Sequence, residues 1–379
     1  MSLWQEYLTR KLVFESHPSL NEKHCLNHLQ TRHPCTACID ICPEDVFSMP
    51  HPGSMETDWD LCTDCGLCVS ICPARAVSPA RLQAEKLYAC ASHCTGNTII
   101  SCKSGSVSDL TLENPGAIPW ELLCFLALQG IVTIVTGSCP DCEKKTCRSS
   151  LDQTLAQTRA FLGDEMYRSR IHCTQDPASL PSRLYTRREA MSLALRRTGR
   201  TASALLPVPP DSVPDGTLWR QLLLYRVKQF YTDSGDPEAL EERKDPSAGP
   251  SGNPAVKAGS GAPVPALRWT VPQFSASCTA CGICMRMCPS GALLRAPGPE
   301  GSARFYMALL PHKCTGCGLC SRVCPVQGML APSPVHLNPV DRPILHAVAA
   351  KSCNRCREPI PADSGSDLCD RCRAELEPG

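Results

Sequence analysis

The chain has 379 residues and a formal net charge of +1, so its charge gives no indication of a nucleic-acid partner. Its unusual feature is cysteine, which occurs 28 times. Disulfide scaffolds are short secreted chains. The first residues of this long chain show neither a basic stretch followed by an apolar core nor a twin-arginine sequence. The composition therefore predicts a cytoplasmic protein of several domains whose thiols bind metal.

The first cysteine motifs lie within residues 1–82, after a short helix predicted in residues 1–24. The run from Cys62 to Pro73 has the spacing C-x2-C-x2-C-x3-C-P. In this spacing three thiolates hold one [4Fe–4S] cluster, and the fourth crosses to a cluster held by a neighbouring run. The neighbouring run is the one that ends at Cys42-Pro43. The ligand set predicted from this crossover, which we call site A, is Cys62, Cys65, Cys68 and Cys42.

The run that ends at Cys42 lacks its first cysteine, because Arg32 occupies that position. The second cluster of this N-terminal module therefore has three ligands and needs a fourth. Cys25 is the spare upstream thiol, and we predict that it completes this set. The alternatives are a three-iron cluster or a ligand from His28 or His33, and Cys25 would then be a small buried apolar residue. The predicted set, which we call site B, is Cys25, Cys35, Cys38 and Cys72.

Residues 83–180 are predicted to form a small α/β domain, which we call the middle domain. The apolar stretch 117–135 is long enough to span a bilayer, but its polar residues and Gly130 favour a buried helix followed by a buried strand. The alternation of strands and helices implies a parallel sheet with right-handed crossovers. The predicted elements are strands at 98–102, 131–136 and 170–173 and helices at 119–129 and 150–162.

Cysteines recur in this domain at or just beyond the carboxyl ends of the predicted strands, where open parallel sheets carry their sites. Cys102, Cys139 and Cys173 occupy such positions, whereas Cys124 lies inside a predicted helix and is expected in the core. We expect Cys90, Cys94, Cys142 and Cys147 in flanking loops. The candidate metal ligands here are Cys90, Cys94, Cys102, Cys139 and Cys142. The alternatives are docking thiols, structural thiols or a redox dithiol.

This layout resembles the delta subunit of methyl-viologen-reducing hydrogenase over about 85 residues. The resemblance implies a [2Fe–2S] cluster and electron transfer to a heterodisulfide reductase. The sequence departs from that family at Ser138-Cys139-Pro-Asp-Cys142, which replaces a longer stretch containing glycine, cysteine and histidine.

Residues 181–232 are predicted to form two amphipathic helices. The first, at 183–200, is basic and would be a solvated face, a docking site for an acidic redox partner, or a peripheral membrane contact. The second, at 217–231, has Leu218, Leu222 and Tyr225 on one face and is expected to pack against the cluster domains. Residues 233–266, rich in glycine, proline and serine, are predicted to be a flexible linker that lets the C-terminal region move as a tethered carrier.

Residues 267–335 contain two complete copies of the C-x2-C-x2-C-x3-C-P spacing and form the predicted C-terminal module. Zinc sites use paired C-x2-C knuckles rather than runs of four cysteines, so zinc and disulfides are poor explanations. The two copies resemble bacterial two-cluster ferredoxins, and polyferredoxins with a longer first spacer resemble the N-terminal module. The ligand set that we call site C is Cys314, Cys317, Cys320 and Cys288. The set that we call site D is Cys278, Cys281, Cys284 and Cys324.

Residues 345–379 contain two C-x2-C knuckles separated by a short loop, which is typical of a structural zinc ribbon. A rubredoxin-like iron site is the alternative. The predicted ligands are Cys353, Cys356, Cys369 and Cys372.

The predicted fold class is a multi-domain α+β protein, in which two ferredoxin-like dicluster modules flank a small parallel-sheet domain and a zinc ribbon follows. No motif for binding a nucleotide or acting on an organic substrate is present. The sequence therefore predicts a polyferredoxin that transfers electrons to and from partners of the dehydrogenase or hydrogenase type. The alternatives are a thiol, disulfide or sulfur reductase acting through Cys139 and Cys142, and a redox sensor or assembly factor.

Overall fold

The computed structural model describes residues 17–30, 32–94, 96–102, 108–136, 145–175, 218–233, 267–297, 304–336, 344–356, 359–361 and 365–376. The helices predicted at 1–24 and 183–200 lie wholly or mostly outside these ranges, as does the predicted linker after Asp233. Within the ranges, none of the helices is both long and apolar enough to cross a membrane.

The N-terminal module is built from very short elements, because its cysteine motifs occupy most of the chain. Two antiparallel pairs form, β1 with β4 and β2 with β3. Val46, Phe47 and Val77 are buried between them and pack with cysteines of both motifs. The elements are β1 (Ser19–Leu20), α1 (Leu26–Leu29), α2 (Ala37–Ile41), β2 (Phe47–Ser48), β3 (Glu56–Thr57), α3 (Leu67–Ile71) and β4 (Val77–Ser78).

The middle domain contains the predicted parallel sheet, with strand order β6-β5-β7-β8. The three predicted strands are confirmed, and α5 and β7 confirm that residues 117–135 are a helix followed by a strand. The short edge strand β6 and the helix α4 are additions to the predicted elements. The elements are α4 (Arg81–His93), β5 (Thr98–Cys102), β6 (Leu110–Leu112), α5 (Trp120–Ala127), β7 (Val132–Val135), α6 (Lys145–Leu162), α7 (Asp164–Arg170) and β8 (Ile171–Thr174).

Helix α8 (Leu218–Asp233) packs against α5 and confirms the predicted helix. Its buried face differs from the prediction: Trp219, Leu223 and Val227 are buried, whereas Tyr225 is 62% exposed. The indole of Trp219 stacks on Tyr88 of α4, with ring centroids 4.6 Å apart. The predicted face and the buried face are neighbouring apolar stripes of the same helix, shifted by about one residue. Contact with the middle domain buries the stripe that contains Trp219.

The C-terminal module has an antiparallel pair, β9 with β12, and a four-stranded sheet of order β10-β11-β13-β14. Strand β13 pairs with β11 through Ala349 and with β14 from Ala350 onward. The predicted boundary of the tail at residue 345 thus falls inside a strand that the module and the tail share. The elements are β9 (Arg268–Val271), α9 (Ile283–Met287), β10 (Leu293–Pro297), β11 (Arg304–Leu309), α10 (Leu319–Arg322), β12 (Ser333–His336), β13 (Ile344–Ser352), β14 (Pro359–Pro361) and α11 (Asp370–Leu376).

The C-terminal module packs on the middle domain, which corrects the expectation of a tethered moving carrier. Trp269 of β9 is 1% exposed and makes an edge-to-face contact with Phe161 of α6, with ring centroids 5.0 Å apart. A single apolar core runs from α4 and the parallel sheet through α8 to β9 and β11. Burial on this scale fixes the module in place.

The N-terminal module docks on the other side of α6 through buried polar contacts. The Ser70 hydroxyl donates to the Gly116 carbonyl at 2.8 Å, and the Ser150 hydroxyl of α6 donates to the same oxygen at 2.8 Å. Nη2 of Arg75 donates to both carboxylate oxygens of Glu121 of α5, at 2.6 and 2.7 Å. The two side chains are 10% and 2% exposed. A paired, largely desolvated carboxylate depends on its partner, because an unpaired buried charge is costly.

We expect Glu121→Gln to loosen the docking of the N-terminal module by about 3–5 kcal/mol, because it leaves Arg75 charged and unpaired in a buried position. Native-state hydrogen exchange of the α5 amides measures this change as a faster opening. Asp152→Asn is the matched control, since Asp152 pairs with Arg148 at an exposed surface, where about 0–1 kcal/mol is expected. Equal effects of the two substitutions would contradict the docking role.

Candidate metal centres

The structure brings thiols of the two C-terminal runs together, as the predicted crossover requires. The pKa of Cys284 is raised to about 12. Burial is the largest cause, and the negative charges of Cys278, Cys281 and Cys324 are the next largest. Cys324 belongs to the second run, so this thiol set contains three cysteines of one run and one of the other. At Cys320 burial raises the pKa, with further contributions from the other three thiols of site C and from Cys284. The two sites therefore lie next to each other.

Each complete run places its third cysteine in a short helix that begins after a glycine. Gly282 and Gly318 have φ values of +78° and +73° at the N-caps of α9 and α10. Only glycine adopts this conformation at little cost. The tight turn brings the cysteine of the helix, Cys284 or Cys320, back toward the two cysteines before it.

Each of the four crossover cysteines is followed by a proline, and at three of them a turn aims a backbone N–H at the sulfur. The N–H groups of Ala76, Ala292 and Gly328 donate to Sγ of Cys72, Cys288 and Cys324, at 3.2, 3.3 and 3.0 Å. Hydrogen bonds to cluster sulfurs are one of the means by which proteins set reduction potentials. The residue three positions after each of the four crossover cysteines has a positive φ: Asp45, Arg75, Gly291 and Gln327.

Site A contains the most buried thiol of the N-terminal module. The pKa of Cys68 is well above its usual value. Burial is the largest cause, and the negative charges of Cys65, Cys62, Cys38 and Cys42 also raise it. The crossover ligand Cys42 is therefore near its predicted partners, and Cys38 of site B lies close by.

The structure brings Cys25 to the three ligands of site B. Cys25 is 8% exposed and caps the N-terminus of α1. The pKa of Cys38 is raised to about 12, first by burial and then by the negative charges of Cys72, Cys35 and Cys25. Helix α1 thus places a thiol where the incomplete motif lacks one.

Asn27 holds this arrangement and was not identified from the sequence. Its side chain is 1% exposed, accepts from the Cys35 backbone N–H at 2.6 Å and donates to the Cys35 carbonyl at 2.7 Å. The two bonds fix α1 to the loop of the first motif. An asparagine two residues after an unpaired cysteine is a weak signal, because only the fold shows what its amide binds.

These sets of free cysteine thiols offer the sulfur ligands that iron–sulfur clusters require. Every cysteine within the described ranges is a free thiol. Burial raises the pKa of ten of these thiols, so a neutral solution alone would leave those ten protonated. They are Cys25, Cys35, Cys38, Cys62, Cys68, Cys278, Cys284, Cys314, Cys317 and Cys320. Metal binding supplies the positive charge that holds buried thiols as thiolates.

The four cysteines of the tail form a tighter group. The sulfurs of Cys353, Cys356, Cys369 and Cys372 all lie within 4.8 Å of one another. Sulfurs around a tetrahedral zinc ion are about 3.8 Å apart, given Zn–S bonds of about 2.3 Å. The backbone N–H groups of Cys356 and Cys369 lower the pKa of Cys353, which favours its thiolate form.

The middle-domain cysteines are placed differently from the prediction. Cys90 lies on α4, Cys94 caps its C-terminus and Cys147 lies on α6, so none of the three is in a flanking loop. The sulfurs of Cys90 and Cys94 are 3.5 Å apart and buried. Cys124 is fully buried in the core, as predicted, while Cys102 ends β5 and Cys173 is exposed on β8. Cys139 and Cys142 lie outside the described ranges.

A polar pair of side chains, His17 and Asp64, lies beside site A. The Asp64 carboxylate lies 3.1 Å from Nδ1 of His17 and 3.5 Å from Sγ of Cys62. Asp64 lies within the motif, but His17 is 47 residues away, so spacing could not reveal the contact.

We expect Cys25→Ser to remove about one iron per chain and to give site B the electron paramagnetic resonance (EPR) signal of an oxidised three-iron cluster. The reason is that a cubane that loses one thiolate ligand tends to lose the iron bound to it. Iron analysis and EPR of anaerobically prepared protein measure both effects. Cys173→Ser removes an exposed thiol and is the matched control. Full iron retention in Cys25→Ser would favour His28 or His33 as ligand.

Comparisons with known proteins agree with this geometry. Residues 277–327 match the 4Fe-4S dicluster domain, and residues 55–78 match the 4Fe-4S binding domain. The first match includes all ligands of sites C and D, and the second includes four of the cysteines in sites A and B.

Individual relatives share shorter stretches. The chain is 33% identical over 64 residues to pyruvate synthase subunit PorD of Methanothermobacter marburgensis, which is 17% of this chain and 65% of that protein. It is 35% identical over 46 residues to a ferredoxin of Pyrobaculum islandicum, covering 12% of this chain and 43% of the ferredoxin. PorD of Methanocaldococcus jannaschii is 28% identical over 64 residues, covering 17% and 66%. The chain spans less than two thirds of each relative. Together the motifs, their geometry and these matches identify iron–sulfur domains of the 4Fe–4S ferredoxin type in this chain.

Proposed function

We propose that this chain relays single electrons along a line of four [4Fe–4S] sites in the order A, B, C and D. Iron–sulfur clusters, when bound, exchange single electrons. The chain's own contribution is to set the order, spacing and surroundings of the sites. In this proposal it is an electron carrier or an electron-transfer subunit and not an enzyme with its own substrate.

The observation that carries the proposal is the contact between the two modules. Leu26, Ala74 and Leu319 are buried together, at 2%, 3% and 1% exposure. The ligands Cys35 and Cys72 of site B and Cys317 of site C pack against this cluster. The duplicated modules therefore meet at their cysteine motifs, although about 200 residues separate them in sequence.

A single side chain reports how near sites B and C are. Burial raises the pKa of both Cys35 and Cys317, and the Arg322 guanidinium opposes the rise at both thiols. Charge effects fall off with distance and solvent screening. A cation that acts on ligands of both modules supports their being neighbours in the line.

The remaining features extend the proposal. Two of the relatives are named as subunits of pyruvate synthase, which supports a role beside a larger oxidoreductase in a reducing cytoplasm. The four-cysteine tail would hold zinc as a structural ion. The buried pair Cys90 and Cys94 supports the candidate [2Fe–2S] site of the middle domain, whose other candidate ligands are Cys102, Cys139 and Cys142.

Metal content tests the proposal directly. We expect about 16 iron and about 16 acid-labile sulfide per chain after anaerobic purification, with about one zinc. About 18 iron would add the [2Fe–2S] site, and about 15 would indicate a three-iron cluster in site B. Eight or fewer iron after reconstitution would contradict the electron relay.

The order of the sites has its own test. We expect Cys317→Ser, which empties or weakens site C, to sharpen the EPR signal of reduced site B, because a neighbouring spin is lost. Cys281→Ser is the matched control: it changes the same motif position in site D, which is farther along the line. A site B signal that responds to neither substitution would contradict the order A, B, C, D.

A further inference from the structure

Arg220 of α8 is a buried cation whose position no cluster motif explains. Its side chain is 5% exposed. Its Nη2 donates to the Pro311 carbonyl at 2.9 Å and its Nε donates to the His312 carbonyl at 3.2 Å. The guanidinium carbon lies 4.6 Å from the centre of the Trp269 ring. Arg220 therefore binds the loop that leads directly into Cys314, the first ligand of site C.

The charges around Arg220 leave it without a carboxylate of its own. Within the described ranges, no ion pair includes Arg220, and the nearby Glu121 is paired with Arg75. Burial lowers the pKa of Arg220, and the charge of Cys314 opposes this, followed by that of Glu121. A buried cation is expensive unless an anion balances it. The anion that would balance it is the thiolate set of site C with a cluster bound.

Site D provides the comparison inside the same module. Cys278 holds the motif position in site D that Cys314 holds in site C. The charges that act on Cys278 are those of Cys324 and Cys281, both site ligands, whereas Arg220 acts on Cys314. Among the described residues, the first cysteine of site C thus has a buried cation beside it that its counterpart in site D lacks.

Resting on the proposed electron relay, we propose that Arg220 raises the reduction potential of site C above that of site D, so that electrons collect in the interior of the line. Reduction adds one negative charge to the site and breaks no bond, and the electron comes from a reduced neighbouring site. A fixed cation in a poorly solvated position stabilises that added charge more than solvent does. Because Arg220 acts on the site through its charge, it is a positioning and tuning residue rather than a ligand.

The test is an EPR-monitored redox titration of the full chain with all sites loaded. In the wild-type protein, the signal of site C, assigned by its loss in Cys320→Ser, should titrate at a higher potential than that of site D, assigned with Cys284→Ser. Arg220→Gln keeps a hydrogen-bond donor but removes the charge. We expect it to make reduction of site C at least tenfold less favourable, which is a fall of about 59 mV for one electron, and to leave site D unchanged.

Two further variants separate charge from structure. Arg220→Lys keeps the charge and should restore most of the potential. Arg226→Gln removes a cation from the same helix, where its Nη2 donates to the Leu128 carbonyl, and should leave site C unchanged. The proposal fails if Arg220→Gln and Arg220→Lys shift site C equally, or if Arg226→Gln shifts it as much.

The wild-type titration decides the matter even if Arg220→Gln loses iron. A site C potential at or below that of site D overturns the inference and leaves the electron relay intact, because all four sites would still be reducible. A chain without cubane clusters would end both proposals.

Discussion

The requirement that four thiols converge from two separate motifs governs this structure. In the predicted ligand sets, each site takes one cysteine from the other run of its module, so neither run could complete a site by itself. The elements between the cysteines are correspondingly short, from two to six residues in most of both modules. Their apolar cores are small, and folding of these modules is expected to depend on metal binding. The middle domain, with its continuous core around the parallel sheet, supplies the stability that the modules lack.

The middle domain therefore serves as the frame that sets the distance between the modules. Helix α6 contacts the N-terminal module through Ser150 and the C-terminal module through Phe161. Gly116 lies at the first of these contacts, where an added Cβ would overlap the backbone of α6. A rigid helix between the modules fixes their separation within narrow limits, whatever path the chain takes between residues 233 and 267.

The sequence predicted the parts of the molecule that depend on local pattern. The cysteine spacing predicted which thiols come together, and the β-branched run at residues 131–136 predicted a strand of the parallel sheet. Both signals lie within a few residues of sequence. The contact between modules could not be predicted, since Leu26, Ala74 and Leu319 are ordinary apolar residues until the fold brings them together. The burial of Arg220 could not be predicted either, because its backbone partners and Trp269 lie far from it in the sequence. The face of α8 was assigned wrongly because periodicity allows two neighbouring stripes, and only contact with Tyr88 and the sheet distinguishes them.

Strand β13 bears on how such a chain could be assembled from parts. Its first six residues complete the sheet of the C-terminal module, and its last three pair with β14 beside the four-cysteine tail. His346 of this strand stacks on Phe274, with ring centroids 5.2 Å apart, close to the first ligand of site D. The tail is thus not an interchangeable cassette. A recombination event that cut before residue 344 would remove a strand from the ferredoxin-type module, and one that cut after residue 352 would separate β14 from the strand it pairs with.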